Sequence, residues 1–325
     1  MALMTDVRTS GSRLVPVVAA AALATAVNVA FPLASPLLVA LVIGVVVTNT
    51  RLADLSLMHG QDRVTKLLLR WGVVLLGLKL PLDAVIGIGA GGVAVVVATV
   101  LVTYYGTLAV GRRLGLEARF VTLLAAGFSI CGAAAIAAVS DTVRARQRDV
   151  GLAVALVTVF GSLMIALIPW AGHVLGLDDG QTAVWAGASI HEVAQVVAAG
   201  SVLGGGAVAL ATTVKLGRVA MLAPMSILVA RRSEAARDAS TPLLPWFVVG
   251  FMIAVVVRSV GVLPDSAVAF SGIVTNVLLA AGMFGLGLGI RGRELWPVPV
   301  RALLLATLST AVAAGTSLAL IQLTA

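Results

Sequence analysis

Long apolar runs, separated by short loops that carry most of the charge, restrict this chain to folding in a bilayer. Only 11% of its 325 residues are charged and 60% are hydrophobic, whereas a soluble domain carries about 25% charged residues. A helical span needs about 20 apolar residues. Segments of that kind cover 14–31, 34–49, 64–80, 90–111, 118–139, 148–172, 183–203, 207–230, 243–260, 266–290 and 298–322. Inside a bilayer the backbone must satisfy its own hydrogen bonds, and runs of this length do so as helices. The expected fold is an all-α polytopic membrane protein of about 9–11 membrane segments, a single integral membrane domain over residues 1–325. The connections 82–90 and 291–297 read as interfacial. Arg8 and Arg13 precede the first run; with so many further apolar runs after it, that run reads as a membrane helix rather than a cleaved signal.

Lys and Arg outnumber Asp and Glu by 22 to 14, for a net charge of +8. The basic residues cluster in loops, not on a face interleaved with aromatics. That pattern argues for orientation by the positive-inside rule and against nucleic acid as a partner. With the N-terminus inside, Arg51, Arg63, Lys66, Arg112, Arg113 and Arg119 all fall inside. A full crossing by 118–139 would then place Arg144, Arg146 and Arg148 outside, against the rule. A segment that dips in and returns keeps them inside. Segment 148–172 then crosses, leaving Asp178 and Asp179 outside. Segment 183–203 poses the mirror-image problem. If it dips from the outside, Arg231, Arg232, Arg237, Arg291, Arg293 and Arg301 all fall inside. This topology has nine full spans and an outside C-terminus.

The two anomalous segments are variants of each other. Gly127-Phe128-Ser129-Ile130-Cys131-Gly132-Ala133-Ala134-Ala135-Ile136-Ala137-Ala138 matches Gly187-Ala188-Ser189-Ile190-His191-Glu192-Val193-Ala194-Gln195-Val196-Val197-Ala198 at an offset of 60, with five of twelve positions identical. At an offset of 210, Leu68, Leu69, Gly72, Gly77 and Leu78 match Leu278, Leu279, Gly282, Gly287 and Leu288, and Ile43 matches Ile253. Thr158 and Pro169 match Thr213 and Pro224. Under the charge-based topology each pair runs in opposite directions. The expectation is two inverted units, about 34–172 and 183–322, the second permuted, with two broken or re-entrant helices meeting near the midplane. Paired, glycine-interrupted apolar segments in such units point to a transporter's binding site.

Polar residues inside these segments are the site candidates, because an ionisable group at a helix centre costs about 2.5–3.5 kcal/mol. His191, Glu192 and Gln195 form the densest group. On a continuous helix His191 and Gln195 would share a face and Glu192 would turn about 100° away, so His191 and Gln195 read as substrate contacts. Glu192, with His191, reads as the carrier of a coupling proton. Lys215 and Arg218, three apart, share a face. Two cations with one carboxylate leave one positive charge for an anion to neutralise. Ser129 and Ser189 would add hydroxyl donors to half-helix N-termini facing the midplane, with Cys131 and Gly132 in the lining. Thr275 and Asn276 are weaker candidates. His-Glu-x-x-His would be a zinc motif, but Gln195 replaces its second histidine, so no metal or cofactor is expected. A single cysteine excludes an intramolecular disulfide.

Three stretches, Gly127 to Ala135, Gly187 to Gly200 and Val214 to Pro224, resemble the YeiH-type family of bacterial membrane proteins, commonly labelled sulfate exporters. The resemblance covers nearly the whole chain. That family is similar to the superfamily of bile-acid symporters and sodium–proton antiporters. The resemblance therefore implies inverted repeats, a core and a panel domain, and two discontinuous helices that traverse the membrane and cross near its centre. The function expected is a secondary transporter, not an enzyme, exporting a sulfate- or sulfonate-class anion by an elevator-like mechanism. Its partners would be a small anion, a coupling proton or sodium ion and the lipid bilayer, with self-association left open. On this reading Lys215→Ala and Arg218→Ala abolish flux while the fold survives. The alternative is a sodium- or proton-coupled organic-anion carrier, with sodium held by broken-helix carbonyls. A channel would need a continuous polar pore. An intramembrane enzyme would need a nucleophile–base pair such as Cys131 with His191.

Overall fold

A computed structural model describes residues 2–31, 36–55, 61–204, 206–232, 245–291 and 299–324, which are helical almost throughout, with no strand among them. The chain is an all-α polytopic membrane protein. Five helices are long and apolar enough to cross a bilayer: Gly89–Arg113, Gln147–Val174, Ala207–Arg232, Asp265–Leu288 and Val300–Leu323. Shorter apolar helices add to these, among them Ala118–Ser129, Val193–Leu203 and Trp246–Val260. Most of the connection expected at 291–297, together with Arg237 and Arg293, lies outside the described residues.

The helices form two packed groups. α1 (Ala2–Ala30), α2 (Pro36–Thr48) and α3 (Asp62–Leu76) pack as a scaffold with two later helices. A short α4 (Leu82–Gly87) leads into α5 (Gly89–Arg113), which opens the second group. That group, the core, continues with α6 (Ala118–Ser129), α7 (Ala133–Ser140), α8 (Gln147–Val174), α9 (Asp179–Ser189), α10 (Val193–Leu203), α11 (Ala207–Ala220) and α12 (Leu222–Arg232). The chain then returns to the scaffold through α13 (Trp246–Val260) and α14 (Asp265–Leu288), and ends in the core with α15 (Val300–Thr324), packed along α5.

Within the scaffold the offset of 210 appears as reciprocal contacts. A Cβ on Gly72 would fall 2.6 Å from Leu279, and one on Gly282 would fall 2.5 Å from Leu69. Likewise Gly77 abuts the Phe251 carbonyl and Ala254, while Gly287 abuts the Leu41 carbonyl and Gly44. Each contact is the other shifted by the repeat, which is the signature of a two-fold axis. The pairs Thr65–Gly285, Leu69–Gly282 and Gly72–Leu279 also run in opposite senses along α3 and α14, so the related helices are antiparallel. Glycine here lets backbones approach closely where apolar surface alone gives helices no reason to associate in lipid.

In the core, α6–α7 and α9–α10 are hairpins rather than crossings. Laid end to end, α6 and α7 would separate their outer ends by about 30 Å. Instead Arg146 pairs with Glu117, the Arg119 guanidinium donates to the Arg144 carbonyl at 3.2 Å, and the Ala145 amide donates to Ser140 O at 2.9 Å. Both ends of the segment therefore lie on the arginine-rich face. For the second hairpin α11 acts as a ruler. Its Val208 lies beside Gly200 of α10, its Ala211 beside Gly187 of α9, and its Lys215 reaches Ile190 at the break. Both arms thus converge towards Lys215 and open on the face of Asp178 and Asp179. The charge count alone led to this arrangement. The traversing broken helices implied by the family resemblance are not what this chain forms.

Candidate functional site

Each hairpin turns at the motif centre. α6 ends at Ser129 and α7 starts at Ala133; α9 ends at Ser189 and α10 starts at Val193. The last carbonyls of a helix have no intrahelical donor and carry the negative end of its dipole. Here two such ends meet, and Lys215 and Arg218 supply the donors. Lys215 Nζ donates to Ile130 O at 2.8 Å and to Ile190 O at 2.7 Å. These carbonyls are equivalents at the offset of 60, so the ammonium sits on the axis relating the hairpins. Arg218 donates to Phe128 O (2.8 Å) and Ser129 O (3.1 Å) of the first hairpin, and to Ala188 O (2.6 Å) and Ile190 O (3.1 Å) of the second. Both side chains are completely buried. Their charge is held by charge-assisted bonds to carbonyls, which a buried cation requires.

This placement changes several expectations. Lys215 and Arg218 direct most of their hydrogens to backbone carbonyls and so tie one hairpin tip to the other. Ser129 and Ser189 donate back to Ala125 O and Trp185 O, both at 2.6 Å and again at equivalent positions, so neither hydroxyl is directed at a ligand. His191 and Gln195 do not share a substrate-facing surface. His191 Nε2 lies 3.2 Å from Thr310 Oγ1 on α15, with the ring edge-on to Phe128 at 4.6 Å. Gln195 Nε2 donates to Thr158 O at 3.1 Å, and its Oε1 accepts from the Glu192 amide at 3.1 Å, closing a capping box on α10. The helical spacing argument failed because His191 and Glu192 lie in the break, where the 100° rule does not apply. Thr275 donates within its own helix to Ser271 O, and Asn276 meets Lys79.

Glu192 is the group left facing a cavity. Its Oε1 accepts from Thr158 Oγ1 at 3.2 Å, while Oε2 is buried without a hydrogen-bond partner. Neither Lys215 nor Arg218 comes within ion-pair distance of it. The α7 N-terminus beside it lacks a side-chain cap. The cavity measures about 40 Å³, lies between core and scaffold, and is lined by Cys131, Ala133, Ala134 and Glu192 against Leu69, Leu279 and Met283. That volume suits water rather than an oxyanion, so the structure is closed around the carboxylate. Sequence reasoning did not single out Thr158 or the scaffold leucines as site residues, although Thr158 and Leu69 stood in its repeat matches.

Gly132 makes this approach feasible. Its φ of +71° and ψ of −130° suit only glycine, and a Cβ there would lie 2.7 Å from Glu192 Cγ. Gly132→Ala is expected to lower stability by about 1–3 kcal/mol and to displace Glu192. Thermal unfolding of the purified protein checks this against Gly217→Ala, whose added carbon meets only Val96 at an ordinary 3.6 Å. Equal midpoints for the two variants would refute it.

Comparison with known proteins gives a consistent picture. The family model described as conserved hypothetical protein 698 matches residues 12–306. A UPF0324 membrane protein of Corynebacterium glutamicum is 42% identical over 302 residues, covering 91% of this chain and 88% of that protein. One from Pseudomonas aeruginosa is 39% identical over 84% of this chain and 83% of its own length. A third, from Agrobacterium fabrum, is 37% identical over 80% and 76%. No solved structure matches the chain significantly.

Proposed function

The chain belongs to the family of conserved hypothetical protein 698, whose relatives are UPF0324 membrane proteins, and we propose that it is a secondary transporter of small oxyanions of the sulfate and sulfonate class. One observation carries this reading: two hairpins from opposite faces are tied tip to tip by Lys215 and Arg218, beside a carboxylate without an ion-pair partner at the boundary with a separate scaffold. The tie makes the hairpins one moving body. Sliding that body along the scaffold would expose Glu192 to each face in turn, an elevator-like alternating access for a multi-pass protein of the bacterial inner membrane. The superfamily of bile-acid symporters and sodium–proton antiporters has the same inverted-repeat logic, with hairpins here in place of crossings.

The charge balance favours an anion. The two helix C-termini and two N-termini at the tips offset one another. Lys215 and Arg218 against ionised Glu192 then leave one positive charge, and against protonated Glu192 they leave two. A sulfate dianion bound with one proton on Glu192 makes a neutral loaded carrier. The anion is drawn by the field of the buried cations and by amides of the first turn of α7, with no cation side chain as a direct ligand. Sodium coupling is the weaker alternative, because the break carbonyls that would coordinate sodium already accept from Lys215 and Arg218.

Flux into proteoliposomes tests this. Sulfate or methanesulfonate uptake driven by a pH gradient, and unchanged when sodium replaces potassium, is the expected result. Flux that requires sodium, or that serves only organic carboxylates, would favour the alternative. Absence of flux for every anion would overturn the reading.

A further inference from the structure

Two further small cavities follow that of Glu192 along α7 and α3 towards the arginine-rich face. A cavity of about 30 Å³ lies between Lys66, Ser140 and Gly285. The next, of about 10 Å³, lies between Arg70, Ala138 and Phe247. The third is the Glu192 cavity, and Leu69 borders all three. One wall of this file is the alanine face of α7 in the core, and the other is α3 of the scaffold.

A charged triad stands at its outer end, where Lys66 borders the first two cavities and Arg70 the second. Asp141, which follows α7 at the outer end of the first hairpin, receives Lys66 Nζ at 2.7 Å and Arg70 Nη2 at 2.6 Å, both from the scaffold. Arg70 is also held over the Phe247 ring at 5.7 Å. Two scaffold cations therefore share one carboxylate that belongs to the other body. The repeat supplies an internal control. At the offset of 210, Lys66 and Arg70 correspond to Asn276 and Ala280; at the offset of 60, Asp141 corresponds to Ser201. The three corresponding residues are uncharged, and the one cation that meets them among the described residues, Lys79 donating to Asn276 at 3.5 Å, has no carboxylate from the core there.

We infer that Lys66 and Arg70 form a docking site for the transported oxyanion on the arginine-rich face, and that Asp141 fills this site as an internal carboxylate when the path is closed. This rests on the proposal that the protein carries oxyanions. Any displacement of the core along α3 must pull Asp141 from the cation pair, leaving two donors at the mouth of the path. An oxyanion can then take the place of the carboxylate. The side chains are only partly buried, 38% exposed for Lys66, 32% for Arg70 and 45% for Asp141. The contact is consequently weak enough to break in each cycle.

Cys131, the only cysteine in the chain, lines the inner end of this file and serves as a native reporter. Its modification by a membrane-impermeant maleimide is to be measured in sealed vesicles of each orientation. Asp141→Asn should raise labelling from the arginine-rich face by about three- to tenfold, the shift that loss of two half-exposed ion pairs produces. Labelling from the opposite face should not change. The exchange Lys66→Asp with Asp141→Lys should restore slow labelling. Sulfate or methanesulfonate, but not chloride at equal ionic strength, should slow labelling of Asp141→Asn, and this protection should vanish when Lys66→Gln and Arg70→Gln are added. Labelling unchanged in Asp141→Asn, or raised equally from both faces, overturns the closure. Raised labelling that neither anion slows overturns the docking site. Neither result depends on flux, so a failure here is distinguishable from a failure of the transporter reading.

Discussion

Arg218→Met is expected to destabilise the folded protein before it affects any transport step. The substitution removes donors from four carbonyls at the ends of two half-helices, in a place water does not reach. Removing one partner from a buried charged cluster costs about 3–5 kcal/mol, against a total stability of about 5–15 kcal/mol. Lys215→Met should cost less, since it frees only the Ile130 carbonyl while Arg218 still donates to Ile190. Arg218→Lys keeps the charge but not the planar fork that spans both hairpins, and should fall between wild type and Arg218→Met. Thermal unfolding in detergent gives the order. The sequence alone suggested that loss of either cation would abolish flux and spare the fold. An unchanged midpoint with flux lost would return these residues to the role of substrate ligands.

The difference between those two readings shows what the sequence encodes openly. Charge in short loops reports the side of the membrane, and each loop arginine contributes independently. That is why Arg144, Arg146 and Arg148 could reveal a hairpin at 118–139 that a family resemblance would have drawn as a crossing. The offset of 210 was legible for a similar reason: glycines that permit close approach must recur wherever the approach recurs, as at Gly72 and Gly282. Side-chain direction within the breaks was not legible. His191 and Glu192 were assigned faces from helical periodicity, but three residues of non-helical backbone at each tip erase the phase. Partnership was also hidden. Nothing in Val214-Lys215-Leu216-Gly217-Arg218 indicates that backbone carbonyls more than eighty residues away would accept from the cations in place of a ligand.

Glu192→Gln is expected to behave in the opposite way to Arg218→Met, sparing the fold and separating two modes of transport. An amide of the same shape can accept from Thr158 Oγ1 and still fit beside Gly132. It also replaces a buried carboxylate oxygen that has no partner by an amide nitrogen facing a water-sized cavity, where water can accept from it. The unfolding midpoint should therefore stay close to that of wild type. The electrical consequence is larger. With glutamine the site holds two positive charges permanently, where the empty wild-type carrier holds one. A dianion still neutralises the loaded form, so exchange of sulfate inside for sulfate outside should continue. Net flux requires the empty carrier to return, and that carrier now carries an additional charge through the bilayer. Such a charge costs about 2.5–3.5 kcal/mol at the centre of a span, so net flux should fall about 100-fold and lose its response to a pH gradient. Paired measurements of counterflow and net uptake in proteoliposomes check this. If both modes vanish in a folded variant, Glu192 is a ligand for the substrate rather than the proton carrier. If net flux persists with its pH response intact, the proton is carried elsewhere.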